Sequence, residues 1–215
     1  APDHPHRGFE TVTYVLEGGV FHEDSVGNRG TIGPGDVQWM TAGAGVIHSE
    51  MPPELFKRRG GRIHGFQLWV NLPSEDKMMR PRYQGLGSTE IPQAASEDGR
   101  ARVRLLAGEA LGASAAIDTR IPIVYQHWSL DPGGSVELPV DEELTAFAYV
   151  FAGRALLGPE DSGTPADEGH VVVFEQDGGS VRLAAPEDAE GTAELLLLAG
   201  RPIGEPIVWH GPFVM

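Results

Sequence analysis

Four residues that can bind a transition metal lie in two pairs in the first quarter of the chain. One residue separates His4 from His6, and one residue separates His48 from Glu50. Residues two apart on a β-strand point to the same face, so each pair can direct two ligand atoms at a single point. The first pair precedes a run rich in β-branched residues, and the second follows the loop AGAG. Both pairs therefore stand where strands are expected.

Three imidazoles and one carboxylate form a nitrogen-rich donor set without thiolates. Such a set suits Fe(II), Mn, Ni, Cu or Zn better than Ca or Mg. Antiparallel neighbours in a small barrel could bring the two pairs together. The alternative is a solvent-exposed histidine pair in a turn ahead of an ordinary strand. Two pairs in one unit are more specific than either alone, so we favour the metal site.

Composition excludes several classes of protein and site. The chain has 215 residues, no cysteine and a net charge of -15. The lack of cysteine rules out disulfides and thiolate metal sites and fits a reducing compartment. The acidic excess disfavours direct binding to nucleic acid. No apolar run is long enough to span a bilayer, and no signal peptide is visible. We therefore expect a cytoplasmic protein, present in the nucleus as well if it is eukaryotic.

Short strands separated by turns would position the candidate ligands. Glycine and proline are frequent, with 29 and 17 residues, and no convincing long amphipathic helix is present. A polar, irregular stretch after Ser74 separates two sets of strand-like segments. We predict an all-β fold of two tandem antiparallel β-barrels with very little helix. The N-terminal barrel covers residues 1–82, a linker covers 83–90, and the C-terminal barrel covers 91–215.

An internal repeat relates the two predicted barrels. Residues 14–18 (YVLEG) match residues 149–153 (YVFAG), and the turn PGDV at 34–37 corresponds to EGHV at 168–171. The match is short, but it fixes a register between the two halves.

The same register predicts that only the first barrel binds a metal. Pro139 and Asp141 correspond to His4 and His6, and no H-x-E motif follows the second turn. The second barrel therefore keeps the strands and lacks the ligands.

Three stretches of the chain closely resemble the pirin family of the cupin superfamily. They are HPHRGFETVTYVLEGG, GNRGTIGPGDVQWMTAGAGVIHSEMP and EPIVWHGPFVM. Pirins are bicupins, and their N-terminal barrel binds one metal ion, usually iron. The resemblance implies that His4, His6, His48 and Glu50 are the ligands and that Fe(II) is the favoured ion, with Mn, Ni, Cu, Co or Zn as alternatives. Glu10 occupies the glutamate position of the general cupin motif, but it is not a ligand in pirins.

The resemblance also implies candidate functions. Pirins are similar to quercetin 2,3-dioxygenases, which open the heterocyclic ring of a flavonol with O2 and release carbon monoxide. In this interpretation the metal binds and orients the reactants, and Glu50 takes the flavonol hydroxyl proton. Some pirins are instead metal- and redox-sensing regulators that bind protein partners, as transcriptional co-regulators or with metabolic enzymes. A cupin that binds a sugar or another small molecule without turnover is a third alternative. We favour the enzyme.

The family pattern bears on the chain ends and on the remaining histidines. Pirins carry strands ahead of H-P-H and a helix after G-P-F-V-M, so the chain is expected to be a fragment that lacks both. His64 could line the first barrel, as could Gln67 and Trp69. Structural roles are expected for His22 (near a turn), His127, His170 and His210.

Overall fold

The computed structural model describes residues 1–210 and 213–214, in two compact units. The first unit comprises Ala1–Glu90 with the described residues from Ile203 onward, and the second comprises Ile91–Pro202. The strands are antiparallel, and the helical content is one short helix in the described part of the chain. The predicted all-β fold in two tandem units is confirmed. No helix of the described residues is long and apolar enough to cross a membrane.

Two four-stranded sheets and the helix make up most of the first unit. Their bounds are β1 (His4–His6), β2 (Phe9–Glu17), β3 (Val20–Asp24), β4 (Arg29–Ile32), β5 (Val37–Thr41), β6 (Val46–Met51), α1 (Glu54–Arg59), β7 (His64–Asn71) and β8 (Arg82–Leu86). One sheet has the order β1-β6-β3-β4, and the other has the order β7-β2-β5-β8.

The second unit contains a six-stranded sheet, a four-stranded sheet and a small hairpin. The bounds are β9 (Gln93–Ala95), β10 (Ala101–Ala107), β11 (Glu109–Ala110), β12 (Ala113–Ser114), β13 (Ile123–Leu130), β14 (Ser135–Pro139), β15 (Thr145–Ala152), β16 (Arg154–Leu157), β17 (Thr164–Asp167), β18 (Val171–Val173), β19 (Ser180–Ala184) and β20 (Ala193–Gly200). The sheet orders are β18-β15-β20-β13-β10-β9 and β14-β19-β16-β17, and β11 pairs with β12. Near the chain end, β21 (Trp209–His210) pairs with β22 (Phe213–Val214).

Glycine ends the long central strand of each unit. Residues 9–15 of β2 are all buried, as a run of β-branched and aromatic residues favours. The strand ends at Gly18, whose φ of 82° suits glycine; a Cβ there would lie 2.6 Å from the Arg62 carbonyl oxygen. At the end of β15, Gly153 has a φ of 71°, and its Cβ would lie 2.8 Å from the Thr192 carbonyl oxygen.

The internal repeat seen in the sequence is present as matching strand pairs. Tyr14 of β2 pairs with Val37 of β5, and Tyr149 of β15 pairs with Val171 of β18. On its opposite edge, β2 shifts register against β7 just after Val15, and β15 likewise shifts register against β20 just after Val150. The repeat therefore reflects a shared strand arrangement.

The segment predicted as a linker contains most of a strand. Within residues 83–90 the chain continues β8, which pairs with β5 from Val37↔Leu86 to Thr41↔Arg82. The Tyr83 side chain packs against a small buried cluster of Met40, Ala42 and Val46, so this stretch belongs to the first unit by packing as well as by strand pairing.

The end of the chain also differs from the predicted C-terminal barrel of residues 91–215. The described residues from Ile203 onward belong to the first unit. There the Glu205 carboxylate accepts hydrogen bonds from the backbone N–H and the hydroxyl of Ser74, both at 2.9 Å.

Candidate metal centre

Three neighbouring strands carry the candidate ligands. Strand β6 lies between β1 and β3, so that His48 pairs with His4 on one side and Glu50 pairs with His22 on the other. Alternation along β6 turns successive side chains to opposite faces. His48 is 1% exposed, whereas the adjacent Ile47 is 51% exposed. The antiparallel pairing therefore brings the two sequence motifs together on an inner face.

The imidazole rings of His4, His6 and His48 face one another. Their centroids are 4.4 to 4.8 Å apart. The Nε2 atoms of His4 and His48 lie 2.9 Å apart. Two nitrogens at about 2.1 Å from one ion and at right angles are roughly 3 Å apart, so this spacing fits two ligands of one metal. The Nε2 atom of His6 is buried and has no hydrogen-bond partner among the described residues. This donor set fits a divalent transition metal.

A backbone contact fixes the orientation of His4. Its Nδ1 lies 2.7 Å from the Pro2 carbonyl oxygen, which can only accept a hydrogen bond. The proton of a neutral His4 therefore sits on Nδ1, and Nε2 keeps the lone pair that a metal needs.

Two polar side chains of the other sheet hold Glu50. Its Oε1 accepts a hydrogen bond from the Thr13 hydroxyl at 3.1 Å. The Gln67 amide lies 2.9 and 2.7 Å from the two carboxylate oxygens and donates to them. With His22 and His48, Glu50 forms a group whose ligand atoms lie within 4.8 Å of one another. This group shares His48 with the three-histidine group.

Burial favours the neutral form of the inner histidines. It lowers the pKa of His6, of His22 and of His48, the last to about 4. At His48 the charge of Glu50 acts in the opposite direction, and the neighbouring histidines lower the pKa further. Neutral imidazole is the form that binds metals, so burial keeps these three side chains in that form at neutral pH.

A cavity of about 390 Å³ opens beside Glu50. Thr13, Gln67 and Glu50 form a polar part of its wall, and His64 also lines it. The apolar part is formed by Tyr14, Val15, Val20, Met51, Ile63 and Phe66. The cavity therefore offers a mostly apolar space that ends at a carboxylate.

Trp69 contacts the histidine cluster at His6. Its ring packs against His6 and Phe9, with centroids 5.5 and 4.9 Å apart, and it remains 51% exposed. Its indole N–H donates to the Gln67 side-chain oxygen at 3.3 Å. Gln67 thus links this aromatic ring to Glu50.

His22 corrects one expectation from the sequence. It lies in the middle of β3 rather than near a turn, it is 1% exposed, and its Nδ1 is 3.3 Å from Nδ1 of His48. In the sequence, the only indication of this position is the alternation in VFHED, which places His22 and Asp24 on one face of a strand. Only the pairing of β3 with β6 shows that this face meets the candidate ligands.

The remaining histidines and Glu10 do not belong to either of the two groups of candidate ligands described above. His127 bonds to Glu194 at 2.8 Å, and His170 bonds to the Asp167 carbonyl oxygen at 2.9 Å, as structural roles predict. Glu10 is fully buried, on the opposite face of β2 from Thr13, and accepts a hydrogen bond from the Thr41 hydroxyl. The side chain of His210 lies outside the described part of the structure.

The second unit has apolar side chains at the equivalent positions. Strand β19 lies between β14 and β16, as β6 lies between β1 and β3. Gly18 precedes β3 and Gly153 precedes β16 in equivalent turns, so β3 corresponds to β16. The pairing of β19 with β16 and with β14 then identifies the residues equivalent to those of β6 and β1. The residues in place of His4, His6, His22, His48 and Glu50 are Leu138, Val140, Leu157, Val181 and Leu183, all at most 8% exposed.

This correspondence corrects the sequence register by one residue. The sequence aligns Pro139 and Asp141 with the two histidines of H-P-H, but both are exposed. Between equivalent positions the second unit is one residue longer: two residues separate His6 from Phe9, and three separate Val140 from Leu144. Leu138 and Val140 therefore face inward instead, and neither side chain can bind a metal.

Both halves of the chain match models of known protein domains. The family model described as Pirin matches residues 1–70, and the one described as Pirin C-terminal cupin domain matches residues 125–215. The chain is 45% identical to human Pirin over 215 residues, which cover 100% of this chain and 71% of that protein.

Solved structures show the same architecture. A quercetin 2,3-dioxygenase from Acinetobacter baumannii superposes with a TM-score of 0.89 at 39% identity, covering 100% of this chain and 72% of that chain. The bacterial pirin YhhW from Escherichia coli, in complex with nickel(II), superposes with a TM-score of 0.70 at 26% identity, covering 93% and 76%. The two units described above therefore have cupin relatives.

Proposed function

The chain belongs to the pirin family, and from that premise we propose that it is a metal-dependent oxidoreductase of the quercetin 2,3-dioxygenase type. It would open the heterocyclic ring of a flavonol with O2 and release carbon monoxide. One observation carries the proposal: a carboxylate beside the histidine cluster also lines a mostly apolar cavity. The similarity to the Acinetobacter baumannii enzyme supports it.

In this proposal His4, His6, His48 and Glu50 hold one divalent ion. Fe(II) is the favoured ion, and nickel(II) is present in a relative. When bound, the metal supplies Lewis acidity toward the flavonol oxygen and redox chemistry toward O2. The nitrogen donors fit this ion because three imidazoles converge and two of their Nε2 atoms are already 2.9 Å apart.

Glu50 accepts the proton of the flavonol hydroxyl in this mechanism. The hydrogen bonds from Thr13 and Gln67 hold its carboxylate in place at the cavity wall. Because the carboxylate is held next to the bound substrate, proton transfer does not require a collision with a base from solution. A carboxylate that accepts hydrogen bonds still has lone pairs to take a proton.

The rest of the cavity suits a flat aromatic molecule. Its apolar wall, formed by residues such as Val15, Ile63 and Phe66, favours aromatic rings over water. Exclusion of water strengthens the electrostatic contacts near Glu50 and protects reactive species from hydrolysis.

Anaerobic loading with Fe(II), followed by quercetin and O2, tests the proposal. We expect loss of the flavonol absorbance together with release of carbon monoxide, both dependent on the metal. Glu50→Gln should slow turnover by about 100-fold or more, since general-base catalysis contributes about 10²–10⁴-fold and the ligand is weakened as well. Glu137→Gln in the second unit is the matched control and should leave the rate unchanged.

Elemental analysis of each sample separates loss of metal from loss of chemistry. Absence of turnover in the protein loaded with Fe(II), Ni(II), Mn(II), Co(II), Cu(II) or Zn(II) would contradict the enzyme proposal. The alternative, a metal-sensing regulator that binds protein partners, would then be favoured.

A further inference from the structure

His22 makes a direct contact with a proposed metal ligand, on the side away from the other two histidines. Its Nδ1 is 3.3 Å from Nδ1 of His48, and the two ring centroids are 5.0 Å apart. The other nitrogen of His48, Nε2, points at Nε2 of His4. His48 therefore uses one nitrogen toward the ligand cluster and the other toward His22.

The surroundings of His22 hold its ring in place. It is 1% exposed, and on its other side the ring packs edge-on against Tyr83, with centroids 5.2 Å apart. The nearby Asp24 carboxylate is engaged by Asn28, through its backbone and side-chain N–H groups at 2.8 and 2.7 Å. The Nε2 atom of His22 is buried and has no hydrogen-bond partner among the described residues. Since Nε2 lacks a partner in either tautomer, the contact with His48 decides the tautomer.

The chemistry of imidazole then leaves one arrangement. A neutral histidine that binds a metal through Nε2 must carry its proton on Nδ1. The Nδ1–H of His48 can therefore only donate toward His22, and Nδ1 of His22 must be the acceptor. His22 consequently carries its own proton on Nε2.

We infer that His22 is a positioning residue for the metal centre: it accepts the Nδ1–H hydrogen bond of His48 and so fixes the tautomer and ring orientation that present Nε2 to the ion. This inference rests on the proposed function, because it takes His48 as a ligand. Hydrogen bonds to the second nitrogen of a metal-bound histidine commonly change metal affinity by about 10–100-fold.

The tautomers can be read directly in the wild-type chain loaded with Zn(II). Long-range 1H–15N correlation spectra should show the proton on Nδ1 of His48 and on Nε2 of His22, and metal-bound Nε2 atoms for His4 and His48. A proton on Nδ1 of His22 would overturn the inference. A purely structural role for His22 would not require this pattern.

Substitutions provide the second readout, the affinity for Zn(II) measured by chelator competition. His22→Leu removes the acceptor and should weaken binding by about 10–100-fold. His22→Asn can place its amide oxygen near the position of Nδ1 and should restore most of the affinity. His22→Gln carries the same group one methylene farther out and should bind as weakly as His22→Leu. His127→Leu, in the second unit, is the matched control and should bind as wild type.

The outcomes separate the two proposals. If wild type binds Zn(II) through His4 and His48 while all His22 variants bind equally well, only the positioning role is wrong. If Zn(II) does not shift the resonances of His4 and His48, the proposed metal site fails, and this inference fails with it. If His22→Leu does not fold, the positioning role of His22 is still tested by two measurements. These are the difference in Zn(II) affinity between His22→Asn and His22→Gln, and the wild-type spectra.

Discussion

At the scale of single residues, the proposed metal site depends on side chains that hold the candidate ligands as well as on those ligands themselves. Pro2 fixes the tautomer of His4, and Gln67 with Thr13 fixes the carboxylate of Glu50. Such outer contacts orient a ligand and reduce the freedom that it loses on binding. Gln67 also accepts a hydrogen bond from Trp69, so it cannot rotate freely.

Gln67→Leu should therefore weaken metal binding while every proposed ligand is retained. Loss of the amide donor leaves the Glu50 carboxylate held by the Thr13 hydroxyl, and we expect about tenfold lower affinity in a competition titration. The matched control is Gln126→Leu in the second unit, where Gln126 likewise accepts a hydrogen bond from a tryptophan two residues later, Trp128. This control should lose stability but not metal affinity. Equal affinities for Gln67→Leu and wild type would show that Glu50 needs no support.

At the scale of elements, glycines with positive φ set the paths of the long strands. Gly18 and Gly153 occupy equivalent turns, and in each a Cβ would come within 3 Å of a backbone carbonyl oxygen. These carbonyl groups belong to Arg62 and Thr192, which lead directly into β7 and β20, so their backbone cannot move aside without disturbing those strands. These glycines are therefore required both for their backbone conformation and for the close approach of the neighbouring strand.

Gly18→Ala and Gly153→Ala should each destabilise the unit that contains them. The left-handed conformation alone costs a non-glycine residue about 1–2 kcal/mol, and the clash adds to it. Calorimetric melting should show the loss. Gly85→Ala is the control, since no heavy atom lies within 4 Å of its Cβ position and its φ is not positive; it should melt close to wild type. Wild-type melting of both turn variants would contradict this account of the turns.

The contact between β10 and the end of β13 gives a pH-dependent prediction. Hydrogen bonds from Arg102 and Thr192 lower the pKa of Asp131 from 3.8 to about 2. Because the folded pKa is the lower one, this stabilisation is present above pH 3.8 and is lost as the pH falls toward 2. Asp131→Asn should reduce the unfolding free energy at pH 7 by at most about 1 kcal/mol, since the pair is partly exposed and screened.

Urea unfolding at several pH values checks this prediction. The difference between Asp131→Asn and wild type should shrink below pH 4 and nearly vanish near pH 2. A difference that stays constant over this range would mean that the charge of Asp131 contributes nothing.

Most strands, and the common face of each candidate ligand pair, could be predicted because they depend on local patterns. Alternation placed His4 with His6, and His48 with Glu50, on common faces. The role of His22 depends on which strand lies beside β6, and strand β8 depends on the contact of Tyr83 with a buried cluster. Such long-range pairings leave no local signal. A single added residue before β15 was likewise enough to shift the register of Pro139 and Asp141.

At the scale of the whole chain, one strand arrangement is used twice with different interiors. The first unit lines the equivalent positions with three histidines that converge, a fourth histidine and a glutamate. The second unit fills them with leucine and valine, which belong to one continuous apolar cluster. Apolar side chains at these positions stabilise the second unit by burial and offer no lone pair to a metal. We therefore expect one metal ion per chain.

Anomalous diffraction from crystals grown with nickel(II) or Fe(II), recorded at the absorption edge of the metal, tests the central claim most directly. We expect one peak per chain in the first unit, about 2.0–2.2 Å from Nε2 of His4, His6 and His48 and from a carboxylate oxygen of Glu50. The account would be contradicted by a peak away from these four side chains, by a second peak among Leu138, Val181 and Leu183, or by no peak at all.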